Sequence, residues 1–247
     1  MKITAISNKN VQKWLELKTT EGRQKDRLFL VEGEKLVSEA AKSGILETVI
    51  YTNKIPQSLT KFENIVEVDT KVMKKLSNLT TPNSIIGVCK IVKIKDSLPD
   101  VLIALDGVQD PGNGGNILRS CLGFGIKKML VSEDNFDQYN DKFIRSTMGA
   151  FFKIGIEKVD LSSKLKELKT LGYKVIVTTA LGETDYKVFK NQQKLIVVFG
   201  SEGHGISKPV LALADFNLGI KINKELESLN VSSAAAIILH ELMKMRN

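Results

Sequence analysis

The sequence predicts an α/β protein of two units, the second built on a parallel sheet. Three observations carry that expectation. Apolar runs of strand length alternate with helix-period segments along nearly the whole chain. In the second part those runs are continuous in Val, Ile and Leu, as strands covered on both faces require. Between the two parts lies KIKDSLPD, Lys93–Asp100, a charged connection containing Ser and Pro. A chain of 247 residues is long enough for two modest domains, and the boundary is drawn to give units 1–95 and 96–247.

In the first unit, a helical pattern runs from Thr4 to about Thr20, with Val11, Trp14, Leu15 and Leu17 on its apolar side. TTEGRQKDR then reads as a polar, basic connection. LFLV (Leu28–Val31) predicts a strand, Glu32–Gly44 a helix with Gly44 just past its end, and TVIYT (Thr48–Thr52) the next strand. IVEVD (Ile65–Asp69), a helix over Thr70–Ser77 and a strand over Ser84–Val92 complete a small α/β unit.

In the second unit the strands are Val101–Val108, Lys128–Glu133, Tyr173–Ala180, Lys194–Glu202 and Phe216–Ile222. Helices are expected at Gly115–Phe124, Asp141–Met148, Ser162–Leu171, Ser207–Ala214 and Ser232–Met245.

Composition narrows the function. Lys+Arg exceed Asp+Glu by 36 to 28, a formal charge of +8, which suits a polyanionic partner. Only two cysteines and two histidines occur, far apart, so neither a disulfide framework nor a metal site is expected. No apolar run has signal-peptide or membrane-span length, which points to a cytoplasmic protein.

Ligands of open α/β sheets gather past the carboxyl ends of strands. Three segments there are rich in polar and small residues: ALDGVQDPGNGGNILRS (Ala104–Ser120), FGSEGHGIS (Phe199–Ser207) and IKINKELESLNVSSAAA (Ile220–Ala236). The first is an imperfect dinucleotide fingerprint, with Ile117 in place of the third glycine and Glu133 as the distant acid, so a nicotinamide-dependent oxidoreductase stays open. A Walker A loop is excluded, because neither glycine cluster is followed by Gly-Lys-Ser/Thr. Taken singly, Arg119 reads as a snorkelling or ion-paired residue, Glu202 as a helix-start acid, and Ser228 and Asn230 as caps.

Taken together, the Asn113-to-Arg119 run, the FGSEG run with Glu202 and the SLNVS run at Ser228–Ser232 resemble, in order and spacing, the three motifs of the SpoU/TrmH family of RNA ribose 2′-O-methyltransferases, within the SPOUT superfamily. The likeness covers about Val101 to Asn247. Residues Leu28–Gly44 look like the start of the small L30e-like substrate-binding domain that often precedes this catalytic domain.

The resemblance implies S-adenosylmethionine as methyl donor, a homodimer, and a parallel-sheet SPOUT-type domain with a C-terminal trefoil knot. It implies catalytic or orienting roles for Asn113, Arg119, Glu202, Ser228 and Asn230, and cofactor contacts at Thr178, Thr179, Ala180, Gly200, Ile220 and Leu229. His204 and Asn116 receive no role. RNA is the expected partner, ribosomal RNA ahead of transfer RNA, with a catalytically silent RNA-binding protein as a further alternative. Candidate phosphate contacts are Arg23, Lys25 and Arg27 in the N-terminal arm, with Lys9 and Lys13, and Arg145 in the catalytic unit.

Overall fold

The computed structural model describes residues 2–92, 98–183 and 185–246, with Glu183 lacking a described side chain. Contacts divide the chain into two compact units, Met1–Lys93 and Ile94–Asn247. The expected boundary at residues 95 and 96 falls outside the described residues.

The first unit contains helices α1 (Lys9–Glu16) and α2 (Thr20–Asp26), strand β1 (Leu28–Glu32), helix α3 (Glu34–Lys42), strands β2 (Leu46–Tyr51) and β3 (Ile65–Glu67), helix α4 (Thr70–Leu76) and strand β4 (Ile85–Lys90). Its mixed sheet has the order β1-β4-β2-β3, with β4 antiparallel to both neighbours and β2 parallel to β3. Val11, Trp14 and Leu17 pack with Val72, Met73 and Leu76 against Ile50, Ile86 and Val88 of the sheet. Gly44 takes φ +76 just beyond α3, the left-handed conformation expected of a residue that ends a helix.

The N-terminus departs from expectation. Instead of one helix followed by a basic linker, α1 stops at Glu16 and TEGRQKD forms α2, capped by the Thr19 hydroxyl on the Gly22 amide. Gly22 permits this close turn, since a Cβ there would sit 2.0 Å from the Glu16 carbonyl oxygen.

The second unit contains β5 (Val101–Asp106), α5 (Pro111–Gly123), β6 (Lys128–Val131), α6 (Asp141–Ser146), β7 (Gly155–Lys158), α7 (Leu161–Thr170), β8 (Lys174–Glu183), α8 (Val188–Asn191), β9 (Leu195–Gly200), α9 (Lys208–Leu211), β10 (Phe216–Leu218) and α10 (Val231–Arg246). Its six strands are all parallel, in the order β10-β8-β9-β5-β6-β7. Leu102, Ala104, Val175, Val177, Ile196 and Val198 pack with Leu161, Leu165 and Leu168 of α7. The alternate residues Ile103, Leu105, Ile176, Val197 and Phe199 are also buried. Burial on both faces is why these strands read as unbroken apolar runs.

Strand order sets where a ligand can enter. From β5 the chain adds β6 and β7 toward one edge, crosses to β8, and returns to place β9 between β8 and β5. The carboxyl ends of β5 and β9 therefore flank the point where the winding reverses, the usual ligand crevice of such sheets. β10 is shorter than expected, and Gly219, Ile220 and Ile222 leave the ladder to line a cavity.

Candidate active site

The glycine-rich stretch is already helical at Pro111, ahead of the expected start at Gly115. Asp110 caps α5, accepting from the amides of Gly112 at 2.6 Å and Asn113 at 3.0 Å, and Pro111 occupies the first turn, where its missing N–H costs nothing. The glycines serve packing. A Cβ on Gly114 would lie 2.0 Å from the Phe136 ring, and one on Gly115 would lie 2.5 Å from the Ser146 side chain. Lys142 bonds the other Asp110 oxygen at 2.6 Å and, as the main cause, holds that carboxyl below the usual carboxylate range.

This capped start fixes Asn113. Its Nδ2 donates to Glu202 Oε1 at 2.5 Å, and its Oδ1 accepts from Asn230 Nδ2 at 3.0 Å. Asn230 is engaged twice, because its own Oδ1 accepts from the Ser232 amide at 2.9 Å and the Ser232 hydroxyl at 2.7 Å at the start of α10. Capping and site-building are thus one arrangement, available to an amide because it both donates and accepts. Three segments distant in sequence meet at Asn113.

Glu202 sits in a small closed loop. Ser201 and Gly205 exchange backbone hydrogen bonds, and the loop folds so tightly over Gly200 that a Cβ there would come within 2.3 Å of the Gly205 backbone. Asp106, at the end of β5, ties the loop down by accepting from the Ser207 amide at 2.6 Å.

A cavity of about 440 Å³ opens at the carboxyl ends of β8, β9 and β10. All six residues expected around the cofactor, Thr178, Thr179, Ala180, Gly200, Ile220 and Leu229, line it, as do Glu202, Ser228 and Asn230. Gly219, also in its wall, is pressed against the backbone of Gly182, 2.4 Å from the Gly182 oxygen for any added Cβ. The threonine hydroxyls are satisfied internally, Thr178 by the Val198 carbonyl at 3.0 Å and Thr179 by Asn217 at 2.8 Å. The size falls in the range of small-molecule sites, and an apolar wall with a few polar groups suits a nucleoside bearing a sulfonium arm.

Arg119 is placed differently. It is exposed on α5, six residues beyond Asn113, outside the cavity wall and without a hydrogen bond or ion pair among the described residues. Six residues turn the helix by about 240° beyond one full turn, so Arg119 and Asn113 leave α5 on different faces.

The expected phosphate contacts separate as well. Arg23 is only 7% exposed, and its guanidinium donates to the carbonyls of Leu17 and Lys18 and to the Thr20 hydroxyl, so it stitches α1 to α2 instead of offering its fork to RNA. Lys25 is exposed and pairs with Glu16 at 3.1 Å, which raises its pKa. Arg27 is exposed in a left-handed conformation, and Arg145 pairs with Asp141 one turn earlier on α6. Both cysteines are buried free thiols whose desolvation pushes their pKa values up, Cys121 to about 12. Among the described residues there is no group of three or more His, Cys, Asp or Glu able to hold a metal, and no helix long and apolar enough to cross a membrane.

Asp106 and Asp110 organise the site yet were not singled out by sequence reasoning. Their signal was position: each is an acid just at, or just past, the end of a buried strand.

The linked amides permit a sharp test. Asn230→Asp keeps a good helix cap but replaces the donor facing Asn113 by a charged oxygen, with Glu202 on the far side of Asn113. The rate of the methylation that the motifs imply is expected to fall by about tenfold in single turnover, the scale of one lost polar contact. Stability in denaturant titration should stay close to that of the parent.

Residues 100–240 match the SpoU rRNA Methylase family, and residues 8–87 match the MRM3-like substrate binding domain. The chain is 31% identical over 243 residues to the 23S rRNA (guanosine(2553)-2′-O)-methyltransferase RlmP of Bacillus subtilis (strain 168), covering 97% of this chain and 98% of that protein. The AdoMet-bound rRNA methyltransferase from Sinorhizobium meliloti is similar in structure, with a TM-score of 0.86, 25% identity, and coverage of 99% of this chain and 97% of that one. An RNA 2′-O ribose methyltransferase crystal structure matches with a TM-score of 0.84 and 26% identity over 99% of both chains. The family match over the second unit, together with the full-length likeness to RlmP, replaces the oxidoreductase reading of the glycine run: this chain belongs to the SpoU rRNA methylase family.

Proposed function

We propose that the protein transfers the methyl group of S-adenosylmethionine to a ribose 2′-hydroxyl of ribosomal RNA, acting in the cytoplasm as a homodimer. The observation that carries this reading is the hydrogen-bonded chain from Glu202 through Asn113 to Asn230 on the rim of the cavity. When bound, the cofactor would supply an electrophilic methyl on a sulfonium whose leaving group is a neutral thioether, so no oxyanion site is required. Thr178, Thr179, Ala180, Gly200, Ile220 and Leu229 hold it. Asn113, Glu202, Ser228 and Asn230 orient the ribose so that its 2′-oxygen lies in line with the methyl, an effect that contributes several kcal/mol to rate.

Arg119 holds the phosphate beside the target sugar, where a phosphate oxygen takes the hydroxyl proton; a guanidinium stays protonated and its fork suits phosphate. A second subunit gives it access. Leu122, one turn from Arg119 on the same face of α5, and Ile237 on α10 are exposed apolar residues, and covering them with another copy would carry Arg119 toward that copy's cavity. The trefoil knot belongs to the same proposal. It is supported by the course of the chain, which leaves β9, pairs β10 with β8, and returns at Leu229 to the cavity end of β9. In the first unit, Lys25 and Arg27 contribute to RNA binding.

Two measurements test the function. Calorimetry should find S-adenosylmethionine binding and no NAD(P) binding. Nucleoside mass spectrometry of ribosomal and transfer RNA, from cells with and without the protein, should show a 2′-O-methylated nucleoside lost from ribosomal RNA alone. Loss confined to transfer RNA would sustain the alternative substrate.

A further inference from the structure

The positive charge of this chain is unevenly spread. Lys and Arg number 16 and Asp and Glu 10 over residues 1–93, so six of the eight excess charges belong to the first unit. Within it, a basic face forms on two neighbouring helices. Helix α4, with the sequence TKVMKKL, turns Val72, Met73 and Leu76 into the core and leaves Lys71, Lys74 and Lys75 exposed. Positions i, i+3 and i+4 share one side of a helix, so these three ammonium groups stand together opposite the buried stripe. α1 packs beside α4 and carries exposed Lys9 and Lys13, four residues apart, opposite the buried Val11 and Trp14. Lys18, just past α1, donates to the carbonyls of Lys75 at 3.2 Å and Ser77 at 3.1 Å, which brings the two helices to a common end.

Local preference argues against such a face. Like charges three and four residues apart repel, and a cation in the first turn opposes the helix dipole. Lys9 and Lys71 both stand in first turns, and neither turn contains an acid. Nothing on α4 offsets this, because the side chains of Lys71, Lys74 and Lys75 make no hydrogen bond or ion pair among the described residues. Asp69 is engaged as the cap on the Val72 amide at 2.9 Å, and Glu16, the one acid of α1, pairs with Lys25 at 3.1 Å. Lys13 reaches Asp26 only at 4.0 Å. A face that repels itself in the free protein is matched by a polyanion outside it.

We propose that the outer face of α1 and α4 holds the phosphate backbone of a base-paired segment of the substrate RNA, with Lys71, Lys74 and Lys75 at its centre; the inference rests on the RNA-methylation reading above. Side-chain chemistry decides the kind of RNA. Single strands are gripped by aromatic side chains on which bases stack. Trp14, the sole aromatic residue of either helix, is only 6% exposed. Lysine acts on phosphate as a mobile point charge, and helical RNA is recognised mainly by its backbone and shape.

The full-length chain and ribosomal RNA from cells lacking the protein supply the test. Filter binding over a range of KCl gives log Kd against log salt, a slope that counts the phosphates neutralised. Lys71→Gln, Lys74→Gln and Lys75→Gln combined should weaken binding by at least about tenfold at low salt and reduce that slope by about two to three. Thermal unfolding should be unchanged or slightly later, because repulsion along α4 is relieved. Removing the same charge at Lys35, Lys54 and Lys61, exposed lysines elsewhere in the unit, should leave the slope nearly unaltered. The maximal single-turnover methylation rate of the α4 variant should match the parent's, with the loss confined to the RNA concentration needed to reach it. A short RNA duplex should compete for the parent better than poly(U) of equal phosphate content.

A parental salt slope in the α4 variant, or an equal loss in the control, would overturn the face. Poly(U) competing as well as the duplex would overturn the base-paired assignment. RNA binding by the parent with no methylation would overturn the methylation reading and leave the face standing.

Discussion

Arg119→Ala is expected to slow methyl transfer at saturating S-adenosylmethionine by at least about a hundredfold, the lower end of what a group assisting proton transfer contributes. Cofactor affinity should be unchanged, because Arg119 is not part of the cavity wall. Stability should move by less than about 0.5 kcal/mol, since the residue is exposed and makes no hydrogen bond or ion pair among the described residues. Arg119→Lys keeps the charge but not the fork, so it should recover only part of the rate. Single-turnover kinetics alongside calorimetry separate these effects. A parental rate in Arg119→Ala would remove the arginine from the chemistry.

Gly219→Ala should weaken cofactor binding through the shape of the cavity, not through its polar groups. The added methyl would lie 2.4 Å from the Gly182 oxygen and 3.0 Å from its Cα, both backbone atoms that cannot step aside as a side chain can. Relief requires β8 and the segment after β10 to separate, and both of them wall the cavity. Overpacking of this kind costs about 1–3 kcal/mol of stability. Affinity for S-adenosylmethionine should fall by about twofold to tenfold if half of that cost is felt on binding. Gly123→Ala is the control: it lies at the end of α5 with nothing within 4 Å of the added carbon, and should be neutral or slightly stabilising. Thermal unfolding and calorimetry on the pair distinguish a steric effect from a general one.

Much of the fold was legible because burial on both faces leaves a direct mark. LIALD, VIV and LIVVF were readable as strands from side-chain chemistry alone. What escaped depended on partners far along the chain. β7, with the sequence GIEK, buries only Ile156 fully, so no apolar run announces it at the sheet edge. Gly112 and Gly114 fell outside the expected helix because Phe136, the group that presses on Gly114, lies 22 residues beyond it. Arg23 looked like a ligand for phosphate because a count of charges cannot tell that its guanidinium is surrounded by carbonyls of the preceding turn.

The candidate site divides along the same line. The cap at Asn230 follows from local preference. The meeting of Asn113, Glu202 and Asn230 does not, being a product of strand order, and only the resemblance of three ordered motifs foretold it.

The linked amides at positions 113 and 230 also limit how this protein can change over generations. Asn113 stands between an acceptor at Glu202 and a donor at Asn230, so aspartate at position 113 would set an oxygen against Glu202, aspartate at position 230 would set one against Asn113, and aspartate at both would compound the mismatch. Both positions should therefore resist drift to aspartate in any lineage under selection for the full rate.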